Sequence, residues 1–258
     1  MDDAGFGAKL RDRIPFVRWS WLRLGLGMPN LLRTGQVGDG REAALRDHVL
    51  AHATADDPDS VLAAIDDFAR RRSMLVNIGD EKGLLLDAAV RAAEPKLLLE
   101  LGAYCGYSAV RTGRLLAPGA RLVSVEFNPA NAEIARAVLA HAGLDDRVSV
   151  VVGRLGDGGA TMHKLATEHG FGFRAVDFVF IDHSTAAYLP DLRTILAAGW
   201  LHPGSAVVAD NVKLPGAPDY LRYMREQEGE SWHTVEHRAH VEYQSLLRDV
   251  VLESYYLG

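Results

Sequence analysis

The sequence predicts an α/β domain built on a mostly parallel sheet, with helices ahead of the sheet and an antiparallel strand pair at its end. Two observations carry this. From residue 97 onward, short apolar runs (LLLEL, RLVSV, VSVVV, VDFVFI and SAVVAD) alternate with helical stretches. Runs that stay apolar throughout suit strands covered on both faces, and their alternation with helices signals βαβ units. Near the C-terminus, runs around VEYQSLL and VVLESYYL follow each other with no room for a crossover helix, so they should pair antiparallel.

The bulk numbers fit one such domain with an appendage. The 258 residues are 48% hydrophobic and 24% charged, ordinary values for a soluble globular chain. A net charge of −6 gives no sign of a nucleic-acid surface. The one cysteine, Cys105, excludes an internal disulfide and a cysteine-rich zinc site, and it fits a reducing, cytoplasmic compartment. Residues 1–37 read as a basic and apolar extension. Within it, the stretch 14–32 carries two tryptophans but is broken by Pro15, Arg18, Arg23 and Pro29, a poor membrane span. Lying in a membrane interface is the less favoured reading of that stretch, and a short helix packed on the body or a mobile tail the more favoured one.

The main domain, residues 38–258, follows the glycine-rich linker GQVGDG. Ala44, Leu45, His48, Val49 and His52 recur at helical spacing. A second helical pattern begins at Ser60, placed to cap it, with Val61, Leu62, Ile65 and Phe68 on one face. A third helix follows Asp80.

After the first strand comes ELGAYCGYSAVR. Gly102 and Gly106 permit a sharp turn, and Ser108 can serve the free N–H groups of the next helix. The dinucleotide fingerprint needs a glycine where Tyr104 stands, which argues against NAD and for a cofactor without phosphates. Glu126 ends the second strand, where a carboxylate can accept both hydroxyls of a ribose. Glu100, the glycine pair and Glu126 together point to an adenosine-type ligand; the glycines alone would mark only a tight turn.

Asp182 closes VDFVFI, and Asp210 and Asn211 close SAVVAD. Strand ends lie side by side at the ligand edge of an open α/β sheet, so these oxygens can converge. Such ligands suit a hard cation such as Mg²⁺, although the same residue types also cap helices.

Five segments, ELGAYCGYSAVR, EFNPANAEIA, FIDH, ADNVKLPGAPD and VEYQSLL, resemble catechol O-methyltransferase, and the match runs from about Gly38 to Gly258. The resemblance implies the Rossmann-like fold of S-adenosylmethionine-dependent methyltransferases, seven strands with a C-terminal antiparallel hairpin. It also implies methyl transfer to one hydroxyl of a Mg²⁺-bound, small-molecule catechol substrate. By position it implies a cofactor site of Ile78, Glu100, Gly102, Tyr104, Ser108, Glu126, the Gly153–Leu155 turn, Asp182 and His183. Asp182, Asp210 and Asn211 match the metal ligands, Glu242 a residue that bonds the second catechol hydroxyl, and Pro215 a wall of the ring pocket.

The substrate side departs from the family pattern. Thr185 stands where the family has its lysine base, Ser184 and Met74 stand for two tryptophans, and Leu155 for a cofactor-contacting serine. Lys213, close behind the metal pair, is the candidate substitute base, with His183 also nearby; otherwise solvent takes the proton. The alternative is a protein that binds the cofactor with little or no turnover.

Overall fold

Five strands, β1 (Leu97–Leu101), β2 (Arg121–Glu126), β3 (Val148–Val152), β4 (Val176–Ile181) and β5 (Leu201–Ala209), pair in parallel. Two more, β6 (Trp232–His240) and β7 (Arg248–Tyr256), complete a seven-stranded sheet in the order β3-β2-β1-β4-β5-β7-β6, with β7 antiparallel to both neighbours. The computed structural model describes residues 19–244 and 246–258.

The apolar runs form strands because both faces of the sheet are covered. Leu98, Leu122, Phe178, Phe180 and Val208 face one core, packed under α2 (Arg41–His52), α3 (Pro58–Arg71), α4 (Gly79–Ala93), α5 (Tyr107–Gly113) and α6 (Pro129–His141). Leu99, Leu101, Val123, Val179, Ile181 and Val207 face the other, under α7 (Ala160–His169), α8 (Tyr188–Ala197) and α9 (Pro218–Glu226). Alternate residues of one strand therefore serve opposite cores, the period-two rule of a strand with no solvent face.

Three expectations about local structure are corrected. VEYQSLL is not a strand. The partner of β7 is the preceding segment, Trp232–His240, and the described residues of VEYQSLL, all but Ser245, lie in the turn between the two. The reason is that β6 is an edge strand, polar on its open side, whereas the turn is held by Gln244. Its amide donates to the carbonyls of Val241 and Leu247, and its oxygen accepts from the N–H groups of Leu246 and Leu247. Ser60 does not cap α3. Asp57 does, accepting from Ser60 N at 3.0 Å, with Pro58 in the first turn. Ser108 caps nothing either; α5 starts from the left-handed Gly106, and Ser108 is buried within the helix.

A further helix, α1 (Trp19–Thr34), docks ahead of α2. Leu24 packs with Val37 and Met74, and Arg23 bonds Ser73 and Asp39. Leu22, Leu26 and Leu32 remain exposed. Among the described residues no helix is long and apolar enough to cross a membrane. Residues 1–18, which include the start of the 14–32 stretch, lie outside the described residues.

Strand register sets the site. Leu101 pairs with Ile181, and Ile181 with Ala209, so the next residues, Gly102, Asp182 and Asp210, stand in a row where the strands end. Asp182 N donates to Leu101 O at 2.9 Å and Asp210 N to Ile181 O at 3.1 Å. A Cβ on Gly102 would lie 2.3 Å from the carbonyl oxygen of Asp182, and its φ is +104°. Gly102→Ala should therefore cost about 2–4 kcal/mol, from backbone strain plus a collision with main chain. Urea unfolding of the two proteins measures it; an equal midpoint would contradict the packing described.

Candidate functional site

Glu100 sits within β1, and its side chain is 1% exposed. Neither carboxylate oxygen has a hydrogen-bond partner. Burial raises its pKa to about 7; Ser108 and Ser124 lie close enough to temper the rise, while Glu126 adds to it. A buried acid with both oxygens unsatisfied is costly. A ligand cation such as an ammonium would relieve it.

Glu126, at the end of β2, accepts from Tyr104 N at 2.9 Å and Asn128 N at 2.8 Å. Each carboxylate oxygen has lone pairs left for a ligand hydroxyl. Tyr104 takes the left-handed conformation (φ 45°) between the two strands. Its hydroxyl donates to Glu42 Oε1 at 3.0 Å, and that oxygen also accepts from Val37 N at 2.9 Å. The loop after β1 is thereby tied to α2 and to the segment preceding it. His183 stacks on Tyr188 with ring centroids 5.3 Å apart and bonds Asp191 through Nε2 at 2.8 Å, while its Nδ1 is buried without a partner. Ile78 is buried at the start of α4, and Leu155 lies buried just past β3. At Gly153 a Cβ would lie 2.0 Å from Thr161 Oγ1, so α7 starts against that turn.

The acidic cluster is built around a residue that the motifs do not include. Lys82, fully buried in α4, places its ammonium 2.8 Å from Asp210 Oδ2, 2.5 Å from Glu242 Oε1 and 3.1 Å from Asp249 Oδ2. Burial opposes its charge, but the three carboxylates outweigh that and hold its pKa above the usual lysine range. Asp182 is pushed up to about 7 by burial, with Lys82 countering and Glu242 and Glu100 adding to the rise. Burial also lifts Asp210 well above the carboxylate range, again against the pull of Lys82 and with help from Asp182. One ammonium thus faces four carboxyl groups, Asp182, Asp210, Glu242 and Asp249. Carboxyl groups crowded like this in a low-dielectric place hold on to protons, and a further cation would take the place of those protons. Asp210 Oδ2 faces the Lys82 ammonium, and the Asn211 side chain makes no cap bond to the turn that follows it. The oxygen-only donor set suits Mg²⁺, although among the described residues no group of three His, Cys, Asp or Glu stands in metal-ligand arrangement.

Glu242 reaches the cluster from the β6–β7 turn and packs against Gly79, where a Cβ would come within 3.3 Å of its Cβ. Lys213 has an exposed side chain, and only its backbone N–H joins the cluster, donating to Asp249 Oδ1 at 3.3 Å. Pro215 is exposed in the turn after β5. Thr185 starts a short 3₁₀ turn and lines a groove of about 580 Å³ between α8 and α9, with Leu189, Arg193, Tyr220 and Tyr223. Met74 is buried beneath α1.

Lys82 and Asp249 escaped the motif reading. A signal for Lys82 existed: it lies four residues before Leu86 and seven and eight before Ala89 and Val90, on the buried stripe of α4. Asp249 follows Arg248 at the polar start of β7, just ahead of the apolar run Val250, Val251 and Leu252, and had no such pattern.

The fold and the edge cluster define a ligand-binding α/β domain of the methyltransferase type. Comparison with known proteins gives the family: the O-methyltransferase family model matches residues 52–218, and this chain belongs to that family. A probable O-methyltransferase of Mycobacterium tuberculosis is 62% identical over 232 residues, 90% of this chain and 99% of that protein. Catechol O-methyltransferase B of Danio rerio is 46% identical, covering 81% of this chain and 76% of its own length. Among solved structures, the O-methyltransferase TomG of Streptomyces achromogenes, in complex with SAM, aligns with a TM-score of 0.61 at 24% identity over 76% of this chain and 89% of its own.

Lys82→Met would leave the buried carboxylates without their cation. Removing one partner of a buried ion pair costs about 3–5 kcal/mol. Chemical denaturation at pH 8 should show a loss of that size, and a neutral result would contradict the role of Lys82 as the cluster's counter-charge.

Proposed function

We propose that this protein is an S-adenosylmethionine- and Mg²⁺-dependent O-methyltransferase acting on a hydroxyl of a catechol-type substrate. The observation that carries the proposal is the placement, on one strand edge, of the unpartnered Glu100 carboxylate beside the crowded Asp182–Asp210 pair. When bound, the sulfonium would supply an activated methyl group and the cation would acidify a coordinated phenol, whose own pKa is near ~10.

The chain's residues would do the rest. Glu100 offers its bare carboxylate to the cofactor's ammonium, Glu126 to the ribose hydroxyls, and His183 the buried Nδ1 to the adenine side, with Ile78, Gly102, Tyr104, Ser108, Gly153 and Leu155 framing the pocket. Asp182, Asp210 and Asn211 would hold the cation. Glu242 would accept from the second hydroxyl and so fix the ring for in-line transfer. Lys82 stays protonated and cannot act as base. Lys213, exposed on the turn after β5, is the lysine that could take the phenol proton; Thr185 offers no base of its own. Ser184 and Met74 in place of two tryptophans would leave room for larger catechols, such as caffeoyl or flavonoid types.

With a catechol and Mg²⁺ the protein should form S-adenosylhomocysteine, and EDTA should stop it. Thr185→Lys should raise the rate at neutral pH. Tight cofactor binding without product across a catechol panel at pH 7–9 would instead favour a binding protein of the same fold.

Cofactor affinity should also depend on pH. In the empty protein Glu100 titrates near pH 7, so below that it carries a proton that an incoming ammonium must displace. Affinity for S-adenosylhomocysteine should be flat above about pH 7.5 and fall by up to tenfold per unit below about pH 7. Asp182 titrates in the same range. Glu100→Gln separates the two: calorimetry should show weaker binding with the acid-side slope removed, and an unchanged slope would contradict the assignment.

A further inference from the structure

Asp249 is 1% exposed and belongs to none of the motifs above. It is the first inward residue of β7. Because β7 runs antiparallel, it enters the sheet at the edge where β4 and β5 leave it. Its two oxygens serve four donors. Oδ2 accepts from Asn211 Nδ2 at 3.0 Å and from Lys82 Nζ at 3.1 Å. Oδ1 accepts from the backbone N–H of Leu214 at 2.9 Å and of Lys213 at 3.3 Å.

These bonds decide which way the amide of Asn211 points. Its nitrogen also lies 3.2 Å from the carbonyl of Leu214 and 3.3 Å from Glu242 Oε1. All three neighbours, Asp249 Oδ2, Leu214 O and Glu242 Oε1, are acceptors only, so the NH₂ end must face them. The amide oxygen is left on the other side. Asn211 itself is held at φ 54°, a left-handed conformation that Asn tolerates better than most residues. The turn that follows is clamped by the same carboxylate through Lys213 and Leu214.

We propose that Asp249 is a positioning residue for the metal site: it anchors the Asn211 amide and the turn behind it, so that Asn211 Oδ1 is presented to the cation alongside Asp182 and Asp210. The inference rests on the Mg²⁺ reading given above. Asp249 touches neither cation nor substrate in this scheme. Its effect passes through Asn211.

A double-mutant cycle read by Mn²⁺ binding tests it, with free Mn²⁺ followed by electron paramagnetic resonance on the full chain. Asp249→Ala should weaken Mn²⁺ binding about tenfold, the size seen when an outer-shell partner is lost. Affinity for S-adenosylhomocysteine should stay within about twofold, since Asp249 bonds none of the cofactor-side residues. In an Asn211→Asp background a carboxylate presents an oxygen whichever way it rotates. There the Asp249→Ala penalty should shrink to less than about threefold. An equal penalty in both backgrounds would mean that Asp249 acts by charge alone and would overturn the proposal, as would an Asp249→Ala protein that binds Mn²⁺ like the parent. Should the alanine variant fail to fold, Asp249→Asn, which keeps the shape and one acceptor, runs the same cycle under the same criteria. A parent protein that binds no Mn²⁺ would refute the metal reading itself, and the inference with it.

Discussion

The acidic half of the sheet's carboxyl edge is arranged around one buried ammonium. Lys82 comes from α4, Asp210 from the end of β5, Glu242 from the β6–β7 turn and Asp249 from the start of β7. The helix and the strand end lie far from each other in the chain and far from the last two elements, which are contiguous. A lysine stripped of water is tolerated only if carboxylates replace that water, and the carboxylates are tolerated only near a cation. The pairing therefore draws together a helix, a strand end, a turn and a further strand. It leaves a surplus of carboxyl groups beside Asp182, where a hard cation would take the place of their protons.

The reversed last strand makes this possible. In a purely parallel sheet each strand brings only its last residues to the ligand edge. Here β7 runs the other way, so its first residues arrive there, with the β6–β7 turn just ahead of them. The cofactor half of the site is different in kind. It is made from consecutive strand ends and the glycine turn after β1, and its polar groups are bare or backbone-bonded instead of paired with lysine. The two halves meet at Gly102 and Asp182, where a Cβ has no room.

That difference explains how much of the molecule could be read from its sequence. Uniform apolar runs and short glycine turns are local signals, so the five parallel strands and the loops that follow β1, β4 and β5 were legible. Asp182 and Asp210 were legible for the same reason: each is the first polar residue after a buried run. β6 was not, because SWHTVEHRAH is an edge strand with polar residues on its open face, while the more apolar VEYQSLL beside it proved to be a turn braced by Gln244. Lys82 showed only its place on the buried stripe of α4, and nothing local told that it pairs with Asp249, 167 residues away. Their burial is a property of the assembled sheet. The resemblance to catechol O-methyltransferase supplied Glu242 by position, but only the structure adds what holds it in place.

The central claim is that the surplus carboxylates at this edge await a divalent cation. Anomalous diffraction from crystals soaked in Mn²⁺ tests it most directly. The account predicts one strong peak bonded to Asp182, Asp210 and Asn211 Oδ1, with Lys82 still held by Glu242 and Asp249. An edge with no peak, and Lys82 Nζ remaining against Asp210, would contradict it.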